Sequence, residues 1–318
     1  MHFGFIPKDE DDEELFSKAF KEKKVKFTLL DESSQWINSG KTVETGFFKR
    51  EQSFKKFMKK DFAKLKEDSR RGDIPVKNLN LIFMRKLDHV YSSADNCKSE
   101  FTLDFLELIE KDVPVINPIA GIRNACRKHV TNYLLARQGL PTPASFAAND
   151  PVRAFLELNR IGFPQYIKPV EGGGGSGVFY VKDGETGGDL TSVYGLFEKP
   201  LILQRIAGDG KGDIRVIVVG EKVIGAIKRK TPKGMHKSNV TVGGKAFKMK
   251  ADDELGELAL KATKALGCKI SGVDIVEDAD GYKILEVNAS PGFTGFKKAT
   301  RIPVENRIVD YLISEARS

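Results

Sequence analysis

Two acidic residues and an amide near the C-terminus form the set best suited to chemistry. Ser271-Gly272-Val273-Asp274-Ile275-Val276 and Ile284-Leu285-Glu286-Val287-Asn288 read as strands, and Asp278-Ala279-Asp280-Gly281 between them supplies turn residues. A hairpin centred on position 280 sets Asp274 opposite Glu286, with Asn288 two residues on and on the same face. Like charges facing each other destabilise a sheet, and both acids sit among Val, Ile and Leu, where uncompensated ionisation is costly. Something positive must lie between them. Two carboxylates and an amide oxygen, with no imidazole or thiolate in the set, are hard ligands suited to Mg²⁺ that keeps waters and nucleotide phosphates in its shell. The alternative is a carboxylate pair held by a nearby lysine.

A second irregularity is Glu171-Gly172-Gly173-Gly174-Gly175-Ser176-Gly177, a run whose backbone N–H groups can approach an anion without Cβ obstruction. It lacks the G-x-x-x-x-G-K-[ST] order of a P-loop. The residues after it, Val178-Phe179-Tyr180-Val181, are strand-like, where a dinucleotide-fold motif would open a helix. Strand–loop–strand suits a flap closing over nucleotide phosphates; a loose surface turn is the plainer reading. Lys168 ends the strand before the run, and Lys128 lies near the start of a helix predicted over 122–138. Each could be an ordinary surface lysine. Beneath a glycine flap, the two ammonium groups are what a triphosphate needs.

The elements that must position these groups follow from periodicity. Strands are predicted at 3–6, 25–30, 79–84 and 113–116, with helices at 11–23 and 100–111, which is a βαβ-type domain with a parallel sheet. From Pro164 the chain turns β-rich: strands at 166–170, 178–182, 201–206, 214–219 and 223–228 precede a helix at 252–266, the acidic hairpin and a last helix at 303–316. The stretch 39–77 reads as an insertion. Within it, 49–71 carries ten Lys/Arg against four Asp/Glu, and Phe54, Phe57, Met58, Phe62 and Leu65 fall on one helical stripe. The stripe reads as core-facing with a solvated lysine face; an anion-attracting surface is the sharper alternative, and no nucleic-acid-binding module accompanies it.

Composition bounds the rest. The 318 residues, 40% hydrophobic and 30% charged with a net charge of +8, suggest about two domains and exclude disorder, collagen, coiled coil and a disulfide scaffold. Cys97, Cys126 and Cys268 are odd in number and scattered, and the four histidines are isolated, so neither a disulfide framework nor a zinc centre is expected. The N-terminus lacks signal-peptide order and no apolar run approaches the ~18 residues that span a bilayer, so a reduced, soluble, cytoplasmic protein is expected.

From about Asn117 onward the chain resembles the ATP-grasp superfamily, and within it the RimK-like carboxylate–amine ligases of the α-L-glutamate type. The resemblance runs in order through Lys128, Leu134-Leu135-Ala136-Arg137-Gln138-Gly139, Lys168-Pro169-Val170-Glu171-Gly172, Gln204, Gly212-Asp213-Ile214-Arg215, Ala226-Ile227-Lys228-Arg229, Ser238-Asn239, Gly272-Val273-Asp274-Ile275 and Glu286-Val287-Asn288-Ala289-Ser290-Pro291-Gly292. It implies an α/β (α+β) fold: a pre-ATP-grasp βαβ domain at 1–117, a central lid subdomain with the flap at 118–205, and a C-terminal subdomain with the metal site at 206–318. It implies that ATP is bound by Lys128, Lys168, Gly173, Gly174, Gly175, Ser176, Gly177 and Asp213, with Gln204, Arg205 and Ile206 as the adenine hinge. Two Mg²⁺ ions, with Mn²⁺ an alternative, would be held by Asp274, Glu286 and Asn288, and catalysis would fall to Arg215, Arg229 and Asn239. Two positions depart from the family pattern: Arg205 stands where an acid is usual, and Val242 where arginine is common.

The implied activity joins an amino acid such as glutamate to a carboxylate of a peptide, protein or cofactor through an acyl phosphate. The acceptor is expected to be acidic if the basic insertion meets it. Neither a membrane nor a nucleic acid is an expected partner, and relatives of this kind are often homo-oligomers. The rival readings are an ATP-grasp kinase and a non-catalytic nucleotide- or nucleic-acid-binding module.

Overall fold

Phenylalanines define the first core. Strand β1 (His2–Ile6) buries Phe3 and Phe5, and helix α1 (Glu10–Glu22) buries Asp12, Phe16, Ala19 and Phe20 at helical spacing on its inner side. The Asp9 side chain caps α1 by accepting the Asp12 N–H at 2.8 Å. Phe5 stacks on Phe83 at 5.7 Å and meets Phe16 edge-on at 5.8 Å. Each such ring contributes about 1.5–3 kcal/mol by leaving water. The structure is a computed structural model and describes residues 1–39, 43–49, 73–85, 96–170, 176–210, 212–231 and 245–317.

The chain divides into two compact units, one of Met1–Ile119 with Glu305–Ser318 and one of Ala120–Val304. In the first, β1 pairs in parallel with β2 (Lys26–Ser39) and with β5 (Leu81–Met84), and β5 with β6 (Val115–Ile116). This is the parallel core that periodicity predicts. The sheet as a whole is mixed, however. Strand β2 runs on well past position 30, and β3 (Val43–Lys49) and β4 (Asp73–Pro75) add antiparallel strands at that edge. The shoulders of the predicted insertion therefore extend the sheet. Phe47 of β3 is buried edge-on against Phe105 of α2 (Asn96–Ile109) at 5.1 Å. The predicted basic helix lies outside the described residues.

In the second unit, β7 (Ser145–Ala148), β10 (Leu201–Arg205), β8 (Gln165–Pro169) and β9 (Phe179–Val181) form an antiparallel sheet in that spatial order. Helices α5 (Pro151–Ile161) and α6 (Gly184–Leu196) cover one face, with Ala154, Leu158, Ile167, Val181, Leu201 and Leu203 between. A five-stranded antiparallel sheet follows in the order β13 (Lys245–Met249), β12 (Lys222–Lys230), β11 (Gly212–Val219), β14 (Ile270–Asp278), β15 (Gly281–Asn288). Helix α7 (Asp253–Ala265) packs on it, and α8 (Thr294–Thr300) meets β12 and β13. Helix α9 (Val304–Glu315) returns to the first unit, where Asp310 takes an ion pair from Lys23 at 2.6 Å. No described helix is long and apolar enough to cross a membrane.

The single helix predicted over 122–138 is two: α3 (Ile119–Cys126) and α4 (Lys128–Arg137), separated by Arg127 in an extended conformation. No glycine or proline marks the break. It is made by a distant contact, the Lys128 N–H donating to the Val170 carbonyl at 2.9 Å.

Candidate active site

The four-stranded sheet has two unlike faces. Alternation sends Ile167, Leu201 and Leu203 into the helix-covered core and turns Tyr166, Lys168, Ile202 and Gln204 to the opposite side. There Lys168 Nζ donates to Gln204 Oε1 at 2.5 Å. Gln204 is 2% exposed, and with its oxygen taken by Lys168 its Nε2 has no partner. Tyr166 and Tyr180, paired across β8 and β9 with rings edge-on at 6.0 Å, complete this face. Neither tyrosine was singled out from sequence, although the spacing of Tyr166 from Lys168 along one strand is a readable signal. Burial pushes the Lys168 ammonium down to about 8; Glu286 opposes the shift and Lys128 adds to it.

The break before α4 places Lys128 at a helix start. Its backbone is tied to Val170, so the two lysines flank the chain that enters the glycine run. Gly173, Gly174, Gly175 and Asn239 lie outside the described residues. Ser176 is exposed, and the Gly177 carbonyl accepts the Tyr194 hydroxyl at 3.4 Å. Arg205 ends β10 with its side chain exposed, its N–H donating to the Ala144 carbonyl at 2.8 Å. Ile206 follows just outside the strand.

The acidic residues stand on the five-stranded sheet. Register sets Asp274 opposite both Arg215 on β11 and Glu286 on β15, and Asn288 opposite Gly272. The predicted facing of Asp274 and Glu286 is present, by a route the sequence does not show. Asp278 pairs with Gly281 around a two-residue loop, one position off a hairpin centred on 280. A bulge between Asp274 and Ile275 then restores the register at the site.

The positive charge beside Asp274 comes from arginines, not from a lysine. Arg215 Nε and Nη2 each donate to one Asp274 oxygen at 2.7 Å, and Arg229 Nη2 reaches Asp274 Oδ2 at 2.9 Å. A planar fork matches a carboxylate where an ammonium offers only a point charge. Arg229 also grips Asp213, with Nε and Nη2 at 2.6 and 2.5 Å from its two oxygens. Asp213, an expected ATP contact, thus serves as a buried partner of Arg229. Gly212, at φ +153°, lets β11 approach there, since a Cβ would lie 1.9 Å from the Arg229 carbonyl oxygen.

These contacts separate the two carboxyls. Burial pushes Asp274 up, but Arg215 and Arg229 outweigh it and hold its carboxyl below the usual range. Glu286 is raised by burial and then by Asp274, with Lys128, Arg215 and Lys168 pulling the other way. Burial would loosen the Arg229 proton, yet Asp274 and Asp213 hold it more firmly. The Asn288 amide is satisfied when its nitrogen donates to Glu286 Oε1 at 3.1 Å and its oxygen accepts from Arg215 Nη2 at 3.3 Å.

Among the described residues no three His, Cys, Asp or Glu side chains gather as a metal centre. The protein's own donors are two carboxylates and one amide oxygen, all hard, which fits Mg²⁺ whose shell is completed by phosphates and water. A separate cavity of about 630 Å³, bordered by Val223, Met249, Leu260 and Ile302, contains none of these residues.

Comparison with known proteins gives the family and the fold. The model of a RimK-like ATP-grasp domain matches residues 125–312. A probable alpha-L-glutamate ligase of Legionella pneumophila (strain Corby) is 32% identical over 204 residues, spanning 64% of this chain and 68% of the relative. The tetrahydromethanopterin:alpha-L-glutamate ligase of Methanocaldococcus jannaschii is 29% identical over 243 residues, 74% of this chain and 82% of the relative. Among solved structures, a Chryseobacterium gregarium RiPP-associated ATP-grasp ligase, in complex with ADP and a leader and core peptide, superposes with a TM-score of 0.70 at 13% identity, covering 99% of this chain and 97% of that one. At that identity the likeness concerns the fold.

Proposed function

The chain belongs to the RimK-like ATP-grasp family and is an ATP-dependent ligase, and from its site we propose that it activates a substrate carboxylate as an acyl phosphate and joins it to an amino acid, glutamate in the first instance. The observation that carries this reading is the cross-strand row Arg215–Asp274–Glu286, together with Lys128 and Lys168, whose charges act on Glu286. No side chain in this set is a nucleophile with an adjacent base, so catalysis is by positioning and by neutralising charge. Lys128 and Lys168 bind the phosphates, and the face of the four-stranded sheet that carries Lys168 and Gln204 receives the nucleotide. The substrate carboxylate attacks the γ-phosphorus and ADP leaves; the amine then attacks the acyl carbon, phosphate leaves and an amide remains. Arg229, fixed by Asp213 and Asp274, presents its charge toward the transferring phosphoryl group. Mg²⁺, or Mn²⁺ in its place, would be held by Asp274, Glu286 and Asn288 and would supply further neutralisation of the phosphate oxygens. Closure of the glycine run at 171–177 would exclude water from the acyl phosphate.

Glutamate is proposed as donor because both named relatives are alpha-L-glutamate ligases. The acceptor is proposed to be an acidic carboxylate compound, on the strength of the basic excess at 49–71. The test is phosphate release with MgATP while amino acids are screened against candidate peptides and cofactors, with hydroxylamine added to trap the acyl phosphate as a hydroxamate. Glu286→Gln should abolish ADP formation in a folded protein; normal turnover in that variant would refute the site. A phosphorylated product without free phosphate would identify a kinase. Charge reversal within 49–71 should raise acceptor KM, and an unaltered KM would remove the acidic-acceptor proposal.

A further inference from the structure

Arg215 engages two of the three groups assigned to the metal. Its guanidinium takes both oxygens of Asp274 at 2.7 Å and, through Nη2, the Asn288 oxygen at 3.3 Å. A divalent cation that takes the lone pairs now turned to Arg215 displaces it. Arg229 is differently placed: its side chain is 3% exposed, and Asp213 holds it whatever becomes of Asp274, whereas that of Arg215 is 16% exposed.

Resting on the metal assignment proposed above, we infer that Arg215 is an exchangeable counter-ion, which neutralises Asp274 until a divalent cation arrives with nucleotide and then turns its fork to the phosphates. A cation alone would have to evict Arg215 and leave a half-buried guanidinium without its carboxylate, which is unfavourable. A nucleotide removes that penalty, because phosphate oxygens accept an arginine fork as a carboxylate does. Metal and nucleotide therefore bind cooperatively, each raising the affinity for the other by the same factor. The consequence for function is a site that takes up cation only together with the nucleotide it must act on.

The experiment follows free Mn²⁺ by its paramagnetic resonance signal during titration of the full chain. It is run with and without a non-hydrolysable ATP analogue, and Mn²⁺ held by the analogue itself is subtracted. Wild-type protein should take up Mn²⁺ alone weakly and gain strongly from the analogue. Arg215→Met should bind Mn²⁺ alone at least tenfold more tightly, with the analogue's enhancement reduced by a similar factor. Arg215→Lys, which keeps the charge and loses the fork, should fall between, and it decides the matter if Arg215→Met fails to give the wild-type circular dichroism spectrum. Equal Mn²⁺ affinity in wild type and the Arg215 variants, abolished by Glu286→Gln, would overturn the exchange and leave the metal assignment standing. No Mn²⁺ uptake by any form, with or without analogue, would overturn both.

Discussion

Each compact unit buries an arginine against an aspartate, and the two contacts are built for different ends. In the first unit Arg85 and Asp12, 2% and 7% exposed, meet at 3.0–3.3 Å, and the carboxylate also accepts the Lys8 N–H at 3.1 Å. The Arg85 guanidinium lies 5.7 Å from the centre of the Phe16 ring. There an acid and a base of opposite sign meet inside the unit. In the second unit Asp274 takes two guanidinium groups and also faces Glu286, while Lys128 and Lys168 act on the same glutamate. Among the described residues, Asp213, Asp274 and Glu286 stand against Lys128, Lys168, Arg215 and Arg229, three acids to four bases. A buried contact between opposite charges holds a fold together. A cluster with like charges opposed and, among the described residues, more bases than acids suits the incoming phosphates proposed for it.

The largest effect expected from breaking this contrast is at Arg229. Arg229→Met removes the fork that holds buried Asp213 and leaves Asp274 with one guanidinium instead of two. Removing one partner of a buried ion pair costs about 3–5 kcal/mol, so the urea midpoint should drop sharply. Turnover should fall about 10³-fold or more under conditions where the variant is still folded. Preserved turnover would show that Arg229 only staples β11 to β12. Arg85→Met sharpens the comparison from the other side. It should also cost about 3–5 kcal/mol in urea unfolding, yet leave kcat/KM for ATP within about twofold at temperatures where the protein is folded. A loss of turnover there comparable to that of Arg229→Met would erase the distinction between the two contacts.

How much of this was legible depended on whether the cause was local. The Asp274–Glu286 facing could be read because turn residues at 278–281 mark a hairpin and the strands alternate around it. The bulge that corrects its register could not be read, since nothing in Asp274-Ile275 announces one. The break at Arg127 was hidden for the same reason: a helical pattern runs through it, and the force that ends α3 comes from the Val170 carbonyl. Helix α6 is poorly announced by its sequence, because Gly184, Gly187, Gly188 and Gly195 lower its helix propensity. Its partner explains it, for at Gly195 a Cβ would lie 2.8 Å from the ring of Pro151, so α5 can pack that closely only on a glycine. The site residues were recognisable by type and order, while their partners were not. Asp213 as the clamp of Arg229, and Gln204 as the acceptor of Lys168, depend on register between strands distant in sequence.

The smallest effect expected, and the most specific to the second unit, is a pH dependence at Lys168. Only its ammonium form serves a phosphate, and in the free protein that form is lost as pH rises through about 8. Because kcat/KM reports the ionisation of the free enzyme, kcat/KM for ATP should be level on the acid side of this group and fall up to tenfold per pH unit above about 8. Lys168→Arg should abolish that limb, since a guanidinium keeps its proton throughout the range. Gln204→Glu should move the limb upward, because a carboxylate 2.5 Å from Nζ favours the charged form. The linkage has a sign of its own. The folded chain holds this proton less tightly than the unfolded chain, so between about 8 and the ordinary lysine value of 10.5 the unfolded state binds more protons. Stability without nucleotide should therefore gain from this group as pH rises through that window, while nucleotide binding loses. Opposite slopes for folding and for ATP use, both removed by one substitution, would tie the buried amine to the phosphates; parallel slopes would mean that Lys168 merely packs.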